Sequence, residues 1–536
     1  MKKLKEEFFN IWDKIEEVSR RERKYIVLLW VFALFTYFLI ASQNLTNTYD
    51  GLWSGTWYRA GEVEMGSGRW FWPYIDIFHF AIQSGPVNTC FTLLMITASL
   101  GFVKDLFLKE EKIGGYLAGA TYISSVVVCV ALSYRHMAPI SGLAFFLSVI
   151  SACVVVYSKN IITGIVYAII PLSFSLGLYQ THIENIAVIL LLYMVYMIYN
   201  GRKFNDLKAY IVKSVSTVLG GAILYRIFLA VNLKIWRMEL STYHGASSVS
   251  ISKIIRTLPV NIIRAYQEWI AYFCNNKFAH NIIQLKVPVF YLGVFLVLIA
   301  VALMYMRKLI ADQCWLEIIL AVCAILIIPV AASFILLITP DADVQIQMTN
   351  GLALVIPVYM YLFCGIEETH AVKTGRKQNA VIGVWTLICI FIAYGNFYMV
   401  IIDQEEMRES KAATTTMATS ILEDLKDYGY FAVDEEKPIM VVGQASASKF
   451  YKKGGMYKNS NAYAKVGQFW TGADCMRMSW EGVFREYTPC ELEFCEDERY
   501  IEIVKEEKFK NMPVFPNPGY IEDFGDTIVV KVSEGY

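Results

Sequence analysis

The sequence has little charge and no excess of either sign. Charged residues make up 18% of its 536 residues, against about 25% in a soluble globular protein. Its 48 Lys and Arg balance 48 Asp and Glu. Phosphate recognition along a nucleic acid needs a basic excess or a basic face, so this balance argues against a nucleic-acid partner. A surface with so little charge is not expected to face water on all sides.

Cysteine motifs for metal or redox chemistry are missing as well. Eleven cysteines are present, but no two of them have CxxC spacing, which zinc and redox sites commonly use. Six lie inside apolar runs, where a thiol behaves as a small hydrophobic side chain. We therefore expect no structural metal, while a divalent cation bound with the substrate stays open. Pairing among Cys475, Cys490 and Cys495 also stays open.

Apolar and aromatic residues dominate instead, at 56% and 15% of the chain. A helix needs about 20 apolar residues to cross a lipid bilayer. Eleven runs approach this length: 25–42, 86–103, 114–133, 139–157, 161–178, 183–199, 209–231, 287–306, 315–338, 349–366 and 379–402. The sequence therefore predicts a polytopic α-helical membrane protein with about eleven transmembrane helices over residues 25–402.

Lys and Arg are divided unevenly between the predicted loops. They concentrate in residues 1–24 and in every second loop, which the positive-inside rule places in the cytoplasm. Residues 1–24 also have an apolar helical face opposite charges, which is typical of an amphipathic helix on the membrane surface. The C-terminus and two long loops, 43–85 and 232–286, are then extracytoplasmic. We expect a multi-pass protein of the plasma membrane.

Beyond residue 402 the composition changes to that of a soluble domain. Two helical patterns and two buried-strand patterns occur there, at 405–428, 470–487, 438–442 and 527–532. Mixed helix and strand signals in one segment of this size favour a small α/β domain. The prediction is an extracytoplasmic α/β domain over residues 403–536.

The first outer loop contains the residue types that glycosyl transfer requires. Its acids include Asp50, Glu62 and Glu64, and its four tryptophans include Trp57 and Trp70. A carboxylate can take the proton of an acceptor hydroxyl as that hydroxyl attacks a sugar's anomeric carbon. Indole rings offer broad apolar faces on which a sugar can stack. An ordinary aromatic belt at the interface and a helix-capping role for Asp50 are the structural alternatives.

Cations and other polar groups recur at the outer ends of the predicted spans. A guanidinium donates to phosphate oxygens and stays charged in a low dielectric, so an arginine there could hold an anionic ligand. The arginines in question are Arg69, Arg135 and Arg226. Snorkelling to the interface is the alternative for Arg226. A polar group where the fifth and sixth spans meet could bind a sugar or form interhelical hydrogen bonds. This polar cluster consists of Tyr179, Gln180, His182 and Glu184, of which Tyr179, Gln180 and His182 are the candidates for binding a sugar or acceptor.

Three short patterns resemble a known family. Thr48-Tyr49-Asp50 follows the first span, Gly68-Arg69-Trp70 comes about twenty residues later, and Leu178-Tyr179-Gln180 ends the fifth span. In these patterns, in its apolar layout and in its C-terminal domain, the chain is similar to the GtrII family of membrane glucosyltransferases, of the GT-C fold class. Many members have two adjacent acids where this chain has Asp50 followed by Gly51. That difference argues against a paired-carboxylate metal site.

The resemblance implies a function and assigns roles. A hexose, glucose-like, would pass from a polyprenyl-phosphate carrier to a cell-surface polysaccharide or related glycan on the outer side of the bilayer. The first outer loop would supply the base, which maps to Asp50, with Glu62 and Glu64 as further candidates. The alternative is a transporter or flippase of lipid-linked sugars. It would use the same cations and aromatic rings but would need no acid at the start of the loop.

Overall fold

A computed structural model shows how these runs fold. It describes residues 2–48, 50–55, 57–77, 82–241, 251–275, 313–338, 344–369, 376–432 and 437–534, with short pieces between 289 and 310. The predicted span 287–306 therefore lies largely outside the described residues. Within the predicted loop 232–286, residues 242–250 and 276–286 also lie outside the described residues, whereas 251–275 are described.

Helices make up most of the described chain. They are α1 (Lys2–Arg21), α2 (Arg23–Thr36), α3 (Phe38–Gln43), α4 (Asp50–Trp53), α5 (Glu62–Gly66), α6 (Trp72–Ile75), α7 (Gly85–Phe107), α8 (Ile113–Ile123), α9 (Val126–Ser133), α10 (Ala138–Tyr157), α11 (Ile161–Leu178), α12 (Ile183–Tyr199), α13 (Phe204–Trp236), α14 (Ile251–Phe273), α15 (Trp315–Ala332), α16 (Ile335–Ile338), α17 (Asn350–Thr369), α18 (Arg376–Asp427), α19 (Ala473–Tyr487), α20 (Asp497–Ile503) and α21 (Glu507–Lys510). The strands are β1 (Ile439–Val442), β2 (Ile521–Asp523) and β3 (Ile528–Lys531).

Among the described residues, seven helices are long and apolar enough to cross a membrane: α7, α10, α11, α12 with the turn before it, α13, α15 and α18. The pair α8 and α9, bent by 46°, is an eighth candidate. All eight coincide with predicted runs. The count of about eleven spans is not confirmed. The first run is interrupted at Tyr37, between α2 and α3, and the apolar part of α17 is the shorter stretch Asn350–Gly365.

The central helices pack closely because small residues face their neighbours. Helices α7, α10, α11 and α13 lie side by side in that order. At the contact of α7 with α10, a Cβ added to Gly142 would lie 3.1 Å from the Cα of Thr92. Small side chains at such contacts let two backbones approach, which gives van der Waals packing where lipid supplies no hydrophobic drive between helices.

Helix α7 joins two chemically different ends of the bundle. Its 23 residues span about 34 Å at 1.5 Å per residue. Near its start, Asn88 Nδ2 donates to the carbonyl of Arg135 at 2.9 Å. Near its end, Lys104 Nζ pairs with Glu22 at 2.8 Å, beside α1 and α2. We call the second of these the basic end, defined by residues 104–109 and the facing residues 21–22.

A C-terminal unit, residues 437–534, follows the bundle. Helix α18 runs through the predicted boundary at residue 403 without a break and contributes Ile421 and Leu425 to the core of this unit. The strand order is β1-β3-β2, with β1 parallel and β2 antiparallel to β3. Both β1 and β3 are buried along their whole length, which explains the apolar sequence of β1 and of the first three residues of β3, and the buried Lys531 that ends β3 donates to the carbonyl of Met512 at 3.1 Å. Both predicted strands are present, and the helix predicted over residues 470–487 begins at Ala473.

A buried carboxylate holds the C-terminal unit against the bundle. Asp403 accepts hydrogen bonds from Asn461 N–H at 2.8 Å, from Asn461 Nδ2 at 2.9 Å and from the Tyr463 hydroxyl at 2.6 Å. The carbonyl of Tyr463 in turn accepts from the N–H of Thr48 at 3.1 Å. The first loop, α18 and the C-terminal unit therefore meet at one end of the bundle.

Candidate functional site

The first loop is folded by two buried carboxylates. Glu64 accepts from Gly61 N–H at 2.8 Å, and the Tyr58 hydroxyl donates to its other oxygen. Asp76 accepts from Ala60 N–H at 2.6 Å and from Trp72 Nε1 at 3.1 Å. Buried carboxylates are stable when such donors surround them. The pair therefore ties residues 58–61 to α5 and α6.

Two of the three family-like patterns meet at this loop. Gln180 Nε2 donates to the carbonyl of Ser67 at 2.9 Å, and Phe71 N–H donates to that of Gly177 at 2.9 Å. Gly68 lies between them with φ +82°, and a Cβ there would lie 2.6 Å from the Tyr225 hydroxyl. Only glycine fits both the positive φ and the space. Gly68-Arg69-Trp70 is thus fastened to the end of α11.

Arg69 projects between two aromatic rings. Its guanidinium carbon lies 5.0 Å from the ring centre of Tyr179 and 5.6 Å from that of Trp72. Aromatic faces attract a cation without neutralising it. The buried Nε of Arg69 has no hydrogen-bond partner among the described residues. The arrangement holds a positive charge and keeps a donor available.

His136 completes the aromatic surroundings. Its ring centre lies 4.7 Å from that of Tyr58 and 5.9 Å from that of Trp72, on which it stacks. Burial, with the nearby charges of Arg69 and Arg135, lowers the pKa of His136 to about 3. The ring is neutral at physiological pH, and its Nδ1 has no hydrogen-bond partner within the described chain. We call Tyr58, Arg69, Trp72, His136 and Tyr179 the mouth site.

His182 lies beside the mouth site. It is buried, its Nδ1 is 2.7 Å from Asn185 Nδ2, and its ring centre is 5.9 Å from that of Tyr179. Its Nε2 has no hydrogen-bond partner in the part of the chain that the structure describes. Of the predicted polar cluster at this helix end, Tyr179 therefore belongs to the mouth site, and Gln180 and His182 lie beside it.

The two predicted stacking tryptophans differ in accessibility. Trp57 is 72% exposed, so its face is open to a ligand. Trp70 is 4% exposed and packs among rings, with Phe174 at 5.4 Å and Phe228 at 5.0 Å between centres. Trp70 therefore packs the loop against α11 and α13. Trp72 is the tryptophan that faces Arg69.

Asp50 lies at the junction with the C-terminal unit. It is exposed at the start of α4, and α4 packs on α19. Arg485 Nη2 donates to the carbonyl of Leu52 at 3.0 Å. Arg135, 2% exposed, pairs with Glu486 at 3.1 Å and has its Nη2 3.4 Å from the carbonyl of Gly51. Arg135 thus joins the loop to the C-terminal unit, and it precedes His136 of the mouth site.

The remaining predicted residues lie at the surface. Glu62 is exposed on α5, whereas Glu64, two residues on, is buried. Arg226 is exposed on α13, whereas its neighbour Tyr225 turns inward and donates to the carbonyl of Gly68 at 3.1 Å. Successive residues of a helix point about 100° apart, so one neighbour can reach the loop while the other cannot.

Sequence reasoning gave no role to Tyr58, Trp72 or Asp76. Trp72 and Asp76 are four residues apart, a spacing that places two side chains on one helical face and could have indicated their hydrogen bond. Tyr58 has no such signal, because its contacts arise only when the loop folds back. Within the described residues, no three His, Cys, Asp or Glu side chains come together in a way that could hold a metal ion.

The fold and site together define a membrane protein with a cluster of aromatic and cationic side chains at one end of its helices. The model of the family "Glucosyl transferase GtrII" matches residues 54–366, more than half of the chain. The chain belongs to this glucosyltransferase family and is a glycosyltransferase. No curated protein and no solved structure matches it. The matched segment includes Arg69 and Tyr179, whereas Asp50 and the C-terminal unit lie outside it.

Proposed function

We propose that the protein transfers a hexose from a polyprenyl-phosphate carrier to a cell-surface glycan, at the extracytoplasmic mouth of the bundle. Family membership supports the sugar transfer. The observation that carries the choice of donor is Arg69, a cation held between two rings with a buried donor atom that no described group satisfies. A guanidinium fork matches the geometry of a phosphate and stays charged in a low dielectric.

An apolar groove next to the mouth suits the carrier's lipid chain. It lies between α12, α13 and α15 and encloses about 480 Å³. Its lining is almost wholly apolar and includes Ala187, Leu191, Val215, Leu219, Ala324 and Phe334. Ala187 lies about one helical turn further along α12 than Glu184. Glu184 follows His182, which lies beside the mouth site. A prenyl chain in this groove would bring its phosphate toward Arg69.

Asp50 is the proposed base. Among the candidate acids, Glu64 is buried within the loop, whereas Asp50 is exposed beside the C-terminal unit. An acceptor hydroxyl would give its proton to Asp50 as its oxygen bonds to the anomeric carbon. The bond from that carbon to the phosphate oxygen breaks, and the lipid phosphate leaves with its negative charge next to Arg69. This single displacement inverts the anomeric centre.

The test is sugar transfer by purified protein. Wild type, Asp50→Asn, Glu62→Gln and Glu64→Gln are incubated with polyprenyl-phosphate glucose and a panel of surface glycans, and products are measured by mass spectrometry. Loss of a general base is expected to cost roughly 100-fold or more in rate, and we expect that loss for Asp50→Asn. Glu423→Gln, an exposed acid on α18, is the matched control.

Three outcomes contradict the proposal in different ways. Unchanged transfer by Asp50→Asn would remove Asp50 as the base. A larger loss for Glu64→Gln in a protein of normal thermal stability would move that role to Glu64. Sugar movement across vesicles without any glycan product would favour the flippase.

A further inference from the structure

One segment of the C-terminal unit has charge of a single sign. Residues 437–473 contain six lysines and no acid or arginine, in a chain whose net charge is zero. Four of these lysines, Lys449, Lys452, Lys453 and Lys458, fall within ten residues. A basic cluster of this kind raises the local concentration of anions and steers them to the surface.

Part of this segment forms the wall of a groove. The groove encloses about 500 Å³ between α18 and residues 450–455. Its lining includes Arg408, Thr416, Phe450, Lys452, Lys453 and Gly455. Both lysines are exposed. Phe450 is 43% exposed, and its ring is braced by Phe515 at 4.9 Å between centres. The groove therefore combines cations with a fixed aromatic face.

Two acids near the groove are engaged, and a third, Glu406, is buried behind Gly454, where it accepts from the Ser410 hydroxyl while its Oε2 has no hydrogen-bond partner among the described residues. Glu409 accepts from Gly455 N–H at 2.9 Å and lies 3.8 Å from Arg408. Glu405 pairs with the same arginine at 2.8 Å. On the other side, the ring of Tyr457 lies 5.0 Å from Lys453 Nζ, an arrangement that orients this lysine by a cation–π contact. Along the lining, the three cations Arg408, Lys452 and Lys453 outnumber the one acid, Glu409, and the two exposed lysines carry the excess positive charge.

The height of the groove above the membrane separates two kinds of anion. Its α18 residues run from Arg408 to Thr416, six to fourteen residues beyond Ile402, the last of the apolar run. At 1.5 Å per residue this is about 9 to 21 Å along the helix. The headgroup layer beside the hydrocarbon is only about 5–8 Å thick. Lipid phosphates are therefore too low to fill the groove, and a soluble polyanion can reach it.

We propose that this groove binds an anionic glycan, with carboxylates or phosphates on Lys452 and Lys453 and a sugar face on Phe450. As the acceptor class of the enzyme, the inference rests on the proposed function. Binding itself does not depend on that function, because the groove shares no residue with the mouth site.

Binding to full-length protein in detergent tests the groove. The probes are an oligogalacturonate, a neutral glucan oligomer of equal length, and short-chain phosphatidylglycerol, measured by calorimetry for wild type and Lys452→Gln/Lys453→Gln. We expect the oligogalacturonate to bind more tightly than the other two and to weaken with salt. The double variant should lose about tenfold in affinity, as two exposed ion pairs allow.

The control is Lys426→Gln/Lys505→Gln, which removes the same charge from two exposed lysines that do not line the groove. An equal loss in this control, or equal affinity for the neutral glucan, would overturn the proposal. Preference for the phosphatidylglycerol would overturn it in favour of a lipid headgroup. Asp50→Asn should bind the oligogalacturonate as wild type does. Loss of transfer with binding intact would therefore leave the groove standing.

Discussion

The two ends of α7 treat buried charge in opposite ways. At the basic end, Lys104 pairs with Glu22, and Asp105 accepts from Arg21, from Lys109 at 2.8 Å and from the Tyr157 hydroxyl at 2.9 Å. Each of these charges has an opposite partner, although Oε1 of Glu22 accepts no hydrogen bond from the described residues and lies 3.8 Å from Arg21 Nε. At the mouth, the structure describes buried polar atoms without hydrogen-bond partners, namely Arg69 Nε, His136 Nδ1 and His182 Nε2.

The difference separates structural charge from charge available to a ligand. A network of buried ion pairs is costly to break, because removing one partner leaves the other charge buried and uncompensated. A buried donor with no partner costs free energy, so it is uncommon unless a ligand completes it. The same type of residue, an arginine or lysine near a helix end, thus stabilises the fold at one end and is proposed to bind substrate at the other.

The largest effect is expected from breaking the ion pairs at the basic end. Lys104→Met leaves the carboxylate of Glu22 buried without its closest cation, which should lower the free energy of unfolding by about 3–5 kcal/mol. Thermal unfolding of the purified protein measures it. Lys24→Met, which removes the exposed pair with Glu111, should change stability by less than about 1 kcal/mol. The double variant Glu22→Gln/Lys104→Met should recover part of the loss, and a further loss would contradict the network.

A smaller effect, on activity alone, is expected at the mouth site. Arg69→Gln should lower kcat/KM roughly 10- to 100-fold, the contribution of a hydrogen bond to a charged group, with little change in thermal stability. Steady-state kinetics with the polyprenyl-phosphate sugar measure it. Arg226→Gln, on the exposed face of α13, should have less effect. A larger loss of kcat/KM for Arg226→Gln than for Arg69→Gln would move the phosphate site to Arg226 and contradict the contrast between the two ends of α7.

The smallest effect is the pH dependence of stability due to His136. Its pKa falls from 6.5 to about 3 on folding, so the unfolded chain binds a proton that the folded chain does not. The stabilisation is complete above pH 6.5 and is lost as the pH falls from there toward about 3. Between about pH 7.5 and about pH 5.5 wild type should lose about 1 kcal/mol more than His136→Phe. Equal slopes would show that the ring is not shielded from water.

Much of the architecture followed from the sequence, and the exceptions have physical causes. Eight of the eleven apolar runs coincide with described candidate spans because bilayer thickness sets their length. The first run is broken at Tyr37, whose hydroxyl donates to the carbonyl of Ile123 at 2.6 Å. A tertiary contact of that kind leaves no periodic signal. The predicted strands were recognisable because strands buried on both faces consist mostly of apolar residues, with the buried Lys531 of β3 as an exception.

The candidate site could be predicted only in part. Gly68-Arg69-Trp70 and Leu178-Tyr179-Gln180 were each visible as patterns, but their contact joins positions more than a hundred residues apart. Arg69 and Arg135 are the same residue type in similar loops, yet one faces aromatic rings and the other pairs with Glu486. Glu62 and Glu64 differ in burial although they are two residues apart. Pattern and spacing do not contain these distinctions.

From the sequence we could predict that lipid surrounds much of this protein, where most of its helices lie, and that it resembles the GtrII glucosyltransferases. Those properties depend on composition and on local periodicity, which any stretch of about twenty residues reveals. The tertiary structure alone decided which charges are satisfied and which remain open to a ligand. Hydrogen bonds and ion pairs act only over a few ångströms, so a side chain's role depends on the partners that folding brings within that distance.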